Sequence, residues 1–174
     1  MDLLEVMKNR RSIRKYTKES IGEEKLLKIL QAGMLSASSR NRRPWDFIVV
    51  EEKETLEKMS KARAAGAKML EGAACAIVVT ADPEVTDVWT EDCSIALANM
   101  HLMASSLGVG SCWIQGRLRE AENGQSTEEY LRSLLRFPEN YKLEAILSLG
   151  MPAEELTPHR LEELPTGKIH REHF

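Results

Sequence analysis

Apolar residues recur along the chain either at helical spacing or in short continuous runs. The run CAIVVTA at 75–81 is apolar at almost every position and predicts a strand buried on both faces. Other runs of strand length lie at 46–51, 111–115 and 143–149. Helices are predicted over 2–9, from Ser20 to about Ser36, and over 52–63, 91–107 and 127–135. Helices between most strands indicate one layered domain, residues 1–174, built from both kinds of element.

Two of these helices carry additional signals. Ser20 stands three residues before Glu23, which predicts a capping box at the start of the second helix. The helix over 91–107 has an apolar stripe of Ile95, Ala98 and Leu102, and most of its remaining surface is apolar too. A helix of this kind needs more than one partner to cover it, and a second copy of the chain is a natural candidate.

The charged residues are unevenly distributed, and one short stretch is strongly basic. The chain has 24 Lys and Arg against 27 Asp and Glu, and this net charge of −3 argues against general nucleic-acid binding. The stretch RRSIRKY at 10–16, by contrast, is basic and contains no carboxylate. If it is extended, Arg10, Ser12 and Arg14 share a face and offer donors suited to phosphate oxygens. The alternative is a solvated basic edge beside a helix end.

The remaining reactive residue types do not form a catalytic or metal-binding pattern. Cys75, Cys93 and Cys112 lie in or beside apolar segments without the spacing of a zinc site, which favours reduced, packed thiols. The histidines show no ligand spacing with the cysteines, and we expect no metal. No signal-peptide core or run of membrane-spanning length is evident, so the expected location is the cytoplasm. Residues 151–174 carry three prolines and no helical period, and are predicted to be disordered or to form an arm on another surface.

Four segments in this order resemble the nitroreductase family of FMN-dependent oxidoreductases. They are RRSIRKY at 10–16, SSRNRRPWDFIVV at 38–50, LGVGSCWIQG at 107–116 and LSLGMPAEE at 147–155. The resemblance implies an α+β, nitroreductase-like fold of three layers with a central mixed, mostly antiparallel sheet. It also implies a homodimer with two FMN sites built from both subunits, NAD(P)H as the electron donor, and no nucleic acid or membrane as partner.

The resemblance also assigns residues to the cofactor. Arg10 and Ser12 would hold the FMN phosphate or ribityl chain, with Arg11 nearby. Arg14 would lie near the flavin pyrimidine, where a cation stabilises the negative charge that develops on reduction. Arg160 resembles an arginine that joins the phosphate site.

A second group is expected to approach from the other subunit. Ser38, Ser39 and Asn41 match a loop that usually reaches the partner's flavin. The family's usual glutamine in this loop is replaced by Arg43, so that glutamine's role is not carried over. Arg42 and Arg43 either favour an anionic substrate or the NADPH phosphate, or form part of a solvated loop.

The flavin ring has its own expected contacts. Lys68 aligns with a lysine that lies near flavin O2 in some members, whereas Ala65 stands where an asparagine often contacts the ring. The turn of Ile114, Gln115 and Gly116 would direct backbone N–H groups at the ring. Trp113 would lie under the ring or, as is commoner for a strand tryptophan, in the core.

The expected chemistry is ping-pong transfer of hydride from NAD(P)H to a nitroaromatic, a quinone or a related acceptor. FMN carries this reaction, so no catalytic triad is required. Trp89 would stack on a planar acceptor or pack against the dimer partner. Two other hypotheses are a flavin-binding, redox-sensing module without turnover and a nucleic-acid binder that uses its basic loops.

Overall fold

Four strands form one antiparallel sheet in the computed structural model, which describes residues 2–174. The strands are β1 (Trp45–Val50), β2 (Cys75–Ala81), β3 (Gly110–Gln115) and β4 (Lys142–Gly150), in the spatial order β1-β2-β4-β3. The helices are α1 (Leu3–Asn9), α2 (Glu23–Met34), α3 (Lys53–Met59), α4 (Trp89–Ser106) and α5 (Thr127–Leu135). Short 3-10 helices lie at Ser39–Asn41, Lys68–Gly72, Leu161–Glu163 and Thr166–Lys168.

The two central strands, β2 and β4, are buried on both faces because each face of the sheet has its own apolar core. On one side α2 and α4 contribute Ile29, Leu97 and Met100. On the other side α3 and α5 contribute Leu56 and Leu131. The domain therefore has three layers, as the family resemblance implies, and the predicted strands are each within about one residue of the observed ones.

The sheet is antiparallel in all three of its strand pairs. A parallel element is added at its edge, where the extended segment after α1 forms a bridge between Ser12 and Ser111. The backbone N–H of Ile13 donates to the carbonyl of Ser111 at 3.0 Å. This pairing places the basic segment 10–16 along the first residues of β3.

Two helix predictions need correction. α2 begins at Glu23 with Gly22 as its N-cap, and the Ser20 hydroxyl instead accepts from the Gly22 N–H at 3.2 Å. Gly22 has φ 76°, a conformation that glycine adopts without steric cost, so the chain turns after Ser20 instead of entering the helix. α3 ends at Met59 rather than near residue 63.

Several helices expose apolar side chains in the single chain. Ile95 on the predicted stripe of α4 is 43% exposed, and Leu35 after α2 is 85% exposed. The C-terminal segment 157–174 is exposed throughout and carries apolar residues such as Ile169. Among residues 2–174 no helix is both long and apolar enough to cross a lipid bilayer.

Candidate functional site

The guanidinium of Arg10 is fixed by a buried histidine from α4. Arg10 Nη1 lies 2.8 Å from His101 Nε2, and His101 Nδ1 lies 2.5 Å from the Ser111 hydroxyl. Because a guanidinium can only donate, Nε2 must accept, and His101 is a neutral imidazole whose Nδ1–H donates to Ser111. Burial, reinforced by the charge of Arg10, lowers the pKa of His101 to about 4.

The other residues of the basic segment have partners of their own. Arg11 Nη1 donates to the Thr157 carbonyl and lines a groove of about 340 Å³ together with Ser111. The side chain of Arg14 donates to the Ser12 carbonyl at 3.2 Å. Arg10, Arg11, Ser12 and Arg14, four residues predicted to serve one site, thus lie together beside the start of β3.

Glu154 adds a carboxylate that the sequence does not place near this segment. Its Oε1 accepts from the backbone N–H groups of Arg14 at 2.7 Å and Lys15 at 3.2 Å. The contact uses backbone donors, so it fixes the segment without occupying either side chain. In the sequence, the feature that could have indicated this contact is the position of Glu154 shortly after the predicted fourth strand.

The opposite end of β3 carries the second predicted group. Ile114 is buried and Gln115 is half-buried, while the backbone N–H of Gly116 donates to the Glu144 carbonyl at 3.2 Å. Hydrogen bonding alternates along an antiparallel strand, so the Gln115 N–H faces the open edge of the sheet. Gly116 lies five positions after Ser111, roughly 17 Å along a strand. The edge of β3 therefore has an arginine cluster at one end and a free backbone donor at the other.

Glu144 is a buried carboxyl group at this second end. It is the extra residue of a bulge in β4, since Val79 pairs with Ala145 and Thr80 with Leu143. Ser94 donates to its Oε1 at 3.1 Å, and its Oε2 is buried without a partner. Burial raises the pKa of this carboxyl. In the sequence, this buried carboxyl group could have been recognised from a single glutamate inside the apolar run of β4.

Two tryptophans near this end of the strand pack against the same core, on the α2–α4 side of the sheet. Trp113 packs against this core and donates to the Gln115 side chain at 3.0 Å. Trp89 lines a cavity of about 280 Å³ with Gly116. The Arg117 guanidinium lies 5.8 Å from the centre of the Trp89 ring.

The loop with Ser38, Ser39 and Asn41 is anchored at the start of α4. The Ser39 N–H donates to Asp92 Oδ1 at 2.9 Å, and the Ser38 hydroxyl accepts from the Arg43 N–H at 3.0 Å. Asp92 and His101 are nine residues apart on α4, roughly 13 Å along its axis. A single chain therefore does not bring this loop to the arginine cluster.

Backbone geometry gives the same loop a fixed, strained form. Arg40, Asn41 and Arg43 have φ of 50°, 56° and 50°, a region that costs a non-glycine residue on the order of 1–3 kcal/mol. The side chains of Arg43 and Arg42 are engaged as well, by the Asn41 side chain and the Val85 carbonyl.

Two predicted residues stand apart from these groups. Lys68 is exposed at the start of its 3-10 helix. Arg160 is exposed and forms ion pairs with Glu162 and Glu163, so its side chain is directed at its own segment. The backbone just before it does approach the site, since the His159 N–H donates to the Lys8 carbonyl at 3.0 Å.

These donors suit an elongated ligand with an anionic group at one end and a planar ring at the other. Guanidinium groups and a serine hydroxyl bind phosphate well, and a free backbone N–H at a strand edge can donate to a ring nitrogen. Within residues 2–174, no group of three or more His, Cys, Asp or Glu side chains has the arrangement of a metal site.

Comparisons with known proteins find relatives that cover nearly the whole chain. The model of the nitroreductase family matches residues 7–68 and 62–151. A protein of Archaeoglobus fulgidus with the provisional name NADH dehydrogenase/NAD(P)H nitroreductase is 41% identical, with 98% of each chain covered. One of the same name from Methanothermobacter thermautotrophicus is 39% identical over 99% of this chain and 87% of its own. The solved structure of an FMN-dependent nitroreductase from Clostridium difficile has a TM-score of 0.94 and 43% identity, over 98% of this chain and 99% of that one.

Proposed function

Because the chain belongs to the nitroreductase family, we propose that it is an FMN-dependent oxidoreductase that passes hydride from NAD(P)H to an electron-poor acceptor in ping-pong turnover. Nitroaromatics and quinones are the proposed acceptors. The observation that carries the proposal is the edge of β3, with Arg10 and Ser12 at one end and the Gln115 N–H at the other.

The chain's own residues divide the work of holding the cofactor. Arg10 supplies charged donors to the phosphate, and His101 directs those donors by accepting one of them. Arg11 and Ser12 add donors at the same end, and Arg14 supplies positive charge nearby. FMN, when bound, supplies the hydride chemistry.

The ring end combines a backbone donor with a partly aromatic cavity. The Gln115 N–H is available to a ring acceptor, since its neighbour Gly116 is paired with Glu144. Trp89 offers a flat apolar surface beside Gly116 for a planar acceptor. This end has room to bind and orient the substrates, while the arginine end holds the phosphate.

We further propose a homodimer, in which the second copy completes each site. The loop of Ser38, Ser39 and Asn41 lies at the far end of α4 from Arg10, so it reaches a flavin held by Arg10 only if that flavin belongs to the partner. The exposed Ile95 and the exposed C-terminal segment offer apolar surface for such an interface. With three buried free thiols, the proposed location is the cytoplasm.

Absorption spectra of the purified protein test this function. We expect flavin bands near roughly 370 and 450 nm, which disappear on anaerobic addition of NADPH or NADH and return when a quinone is added. A flavin that neither nicotinamide reduces would favour the redox-sensing module instead. Protein that stays colourless after incubation with FMN would exclude both, and salt-sensitive binding of nucleic acid would then favour the basic-loop hypothesis.

A further inference from the structure

Two arginines outside the predicted cofactor site face one cavity. Arg63, from the segment after α3, and Arg119, from the segment after β3, line a space of about 310 Å³ together with Ala65. Arg63 is half-buried and Arg119 is exposed. Among the partners described in residues 2–174, the Arg119 guanidinium donates to the neighbouring Leu118 carbonyl alone, at 3.0 Å.

No carboxylate within residues 2–174 forms an ion pair with either guanidinium. Glu120 lines the same cavity, but its carboxylate lies beyond ion-pair distance of both. Elsewhere in the chain Arg132 is paired with Glu128 at 2.9 Å, so acidic partners are not scarce in this protein. Burial, followed by repulsion from Arg119, lowers the pKa of Arg63. Two like charges held together without a counter-ion favour the entry of an anion.

The backbone around both arginines is constrained. Leu118 has φ 57° and is 78% exposed, an unfavourable conformation for an apolar residue that faces solvent. Gly66 has φ 93°, and the Arg63 guanidinium lies 3.7 Å from the position a Cβ would take there. Each arginine at the cavity is therefore next to, or in contact with, a residue whose φ is positive.

The cavity adjoins the ring end of the proposed flavin site. Leu118 and Arg119 line both this cavity and the one formed by Trp89 and Gly116. We propose that Arg63 and Arg119 form an anion site that recognises a phosphate or carboxylate of a substrate bound over the flavin. The group is either the 2′-phosphate of NADPH or the carboxylate of an anionic aromatic acceptor. This inference rests on the proposed function, because it places the substrate at the ring end.

Calorimetric titration of the flavin-loaded protein distinguishes the NADPH phosphate from the acceptor carboxylate. The ligand pairs are NADP⁺ against NAD⁺, and 4-nitrobenzoate against the neutral 4-nitrobenzamide. The variant is Arg63→Gln with Arg119→Gln, and the matched control is Arg136→Gln, an exposed arginine at the end of α5. Arg119→Gln is also tested alone. Because Arg119 is exposed, this single variant should fold normally and still report on the site if the double variant fails to fold.

We expect the double variant to weaken binding of the anionic member of one pair by about tenfold, within the range for lost hydrogen bonds to a charged group. Weaker NADP⁺ binding identifies the donor phosphate, and weaker nitrobenzoate binding identifies the acceptor. Restoration of part of the affinity by Lys at both positions would support recognition of charge.

The inference is overturned if the wild type binds neither anionic ligand more tightly than its neutral counterpart, if the double variant keeps that preference, or if Arg136→Gln has an equal effect. In each of these cases a flavin-loaded, reducible protein would leave the proposed function standing. Absence of flavin bands in the wild type, by contrast, removes the proposed function and this site with it.

Discussion

Arg10 and His101 form a hydrogen bond of 2.8 Å that connects the basic segment after α1 to the C-terminal half of α4. Since His101 also donates to Ser111 on β3, one imidazole ties together three elements at the proposed phosphate end. An arginine held in this way loses little rotamer freedom when it binds a phosphate, so its donors act as a pre-organised site.

Arg10→Ala should weaken FMN binding by about 10- to 100-fold, because a hydrogen bond to a charged group contributes on the order of 1.5–3 kcal/mol. Titration of apo-protein into FMN, followed by quenching of flavin fluorescence, gives the dissociation constant. Arg136→Ala is the control for a general loss of positive charge. An Arg10 variant with wild-type affinity would mean that the phosphate binds elsewhere.

The role of His101 is tested by a pair of substitutions. His101→Leu removes the acceptor for Arg10 and should raise the FMN dissociation constant several-fold. His101→Gln keeps an acceptor for Arg10 and a donor for Ser111, so it should restore most of the affinity. The same fluorescence titration measures both variants. Equal affinities for Leu and Gln would show that the histidine only fills space.

The lowered pKa of His101 also predicts how stability depends on pH. The unfolded chain binds a proton at this histidine below about pH 6.5, whereas the folded chain resists protonation until about pH 4. Stability is therefore complete above pH 6.5 and falls as the pH drops toward 4, by up to about 3 kcal/mol at 1.36 kcal/mol per pH unit.

Urea unfolding from pH 7.5 to 4.5 measures this loss, with His101→Gln as the control. The buried carboxyl of Glu144 has a raised pKa and acts in the opposite direction, stabilising the fold as the pH falls. The difference between wild type and variant isolates the histidine, because Glu144 is present in both. Parallel stability curves for the two proteins would contradict the assignment.

Much of the fold follows from local patterns. The continuous apolar run of β2 and the helical spacing in α4 locate these elements within one or two residues. The contacts of His101 and the bulge at Glu144 could not be predicted, because they depend on strand pairing and packing between residues distant in sequence. Ser20 failed as a cap for a local reason, since the glycine at position 22 permits a turn that propensity alone does not reveal. The roles of the individual site residues in binding FMN stay predictions.

Trp89→Ala should lower kcat/KM for aromatic acceptors by about 2- to 10-fold, the effect of losing one aromatic contact of about 0.5–1.5 kcal/mol. The physical reason is that the indole lines the cavity beside Gly116. Steady-state kinetics with a nitroaromatic acceptor and with ferricyanide, an acceptor that has no ring to stack, provide the measurement, and FMN occupancy is read from the visible spectrum. If the two acceptors respond equally, or neither responds, Trp89 does not contact the ring of the acceptor.

If the protein forms the proposed homodimer, Ile95→Glu should convert it into monomers and release FMN at the same time. Ile95 is 43% exposed on the apolar stripe of α4, and a charge placed there would lose its hydration in an interface. Loss of the partner would also remove the loop of Ser38, Ser39 and Asn41 from the flavin. Sedimentation at several protein concentrations gives the oligomeric state, and the visible spectrum of the same samples gives the flavin content. Arg136→Glu changes charge by more and lies at the end of α5, so it serves as the control. A monomeric Ile95 variant that keeps its full complement of FMN would show that each chain builds its site alone.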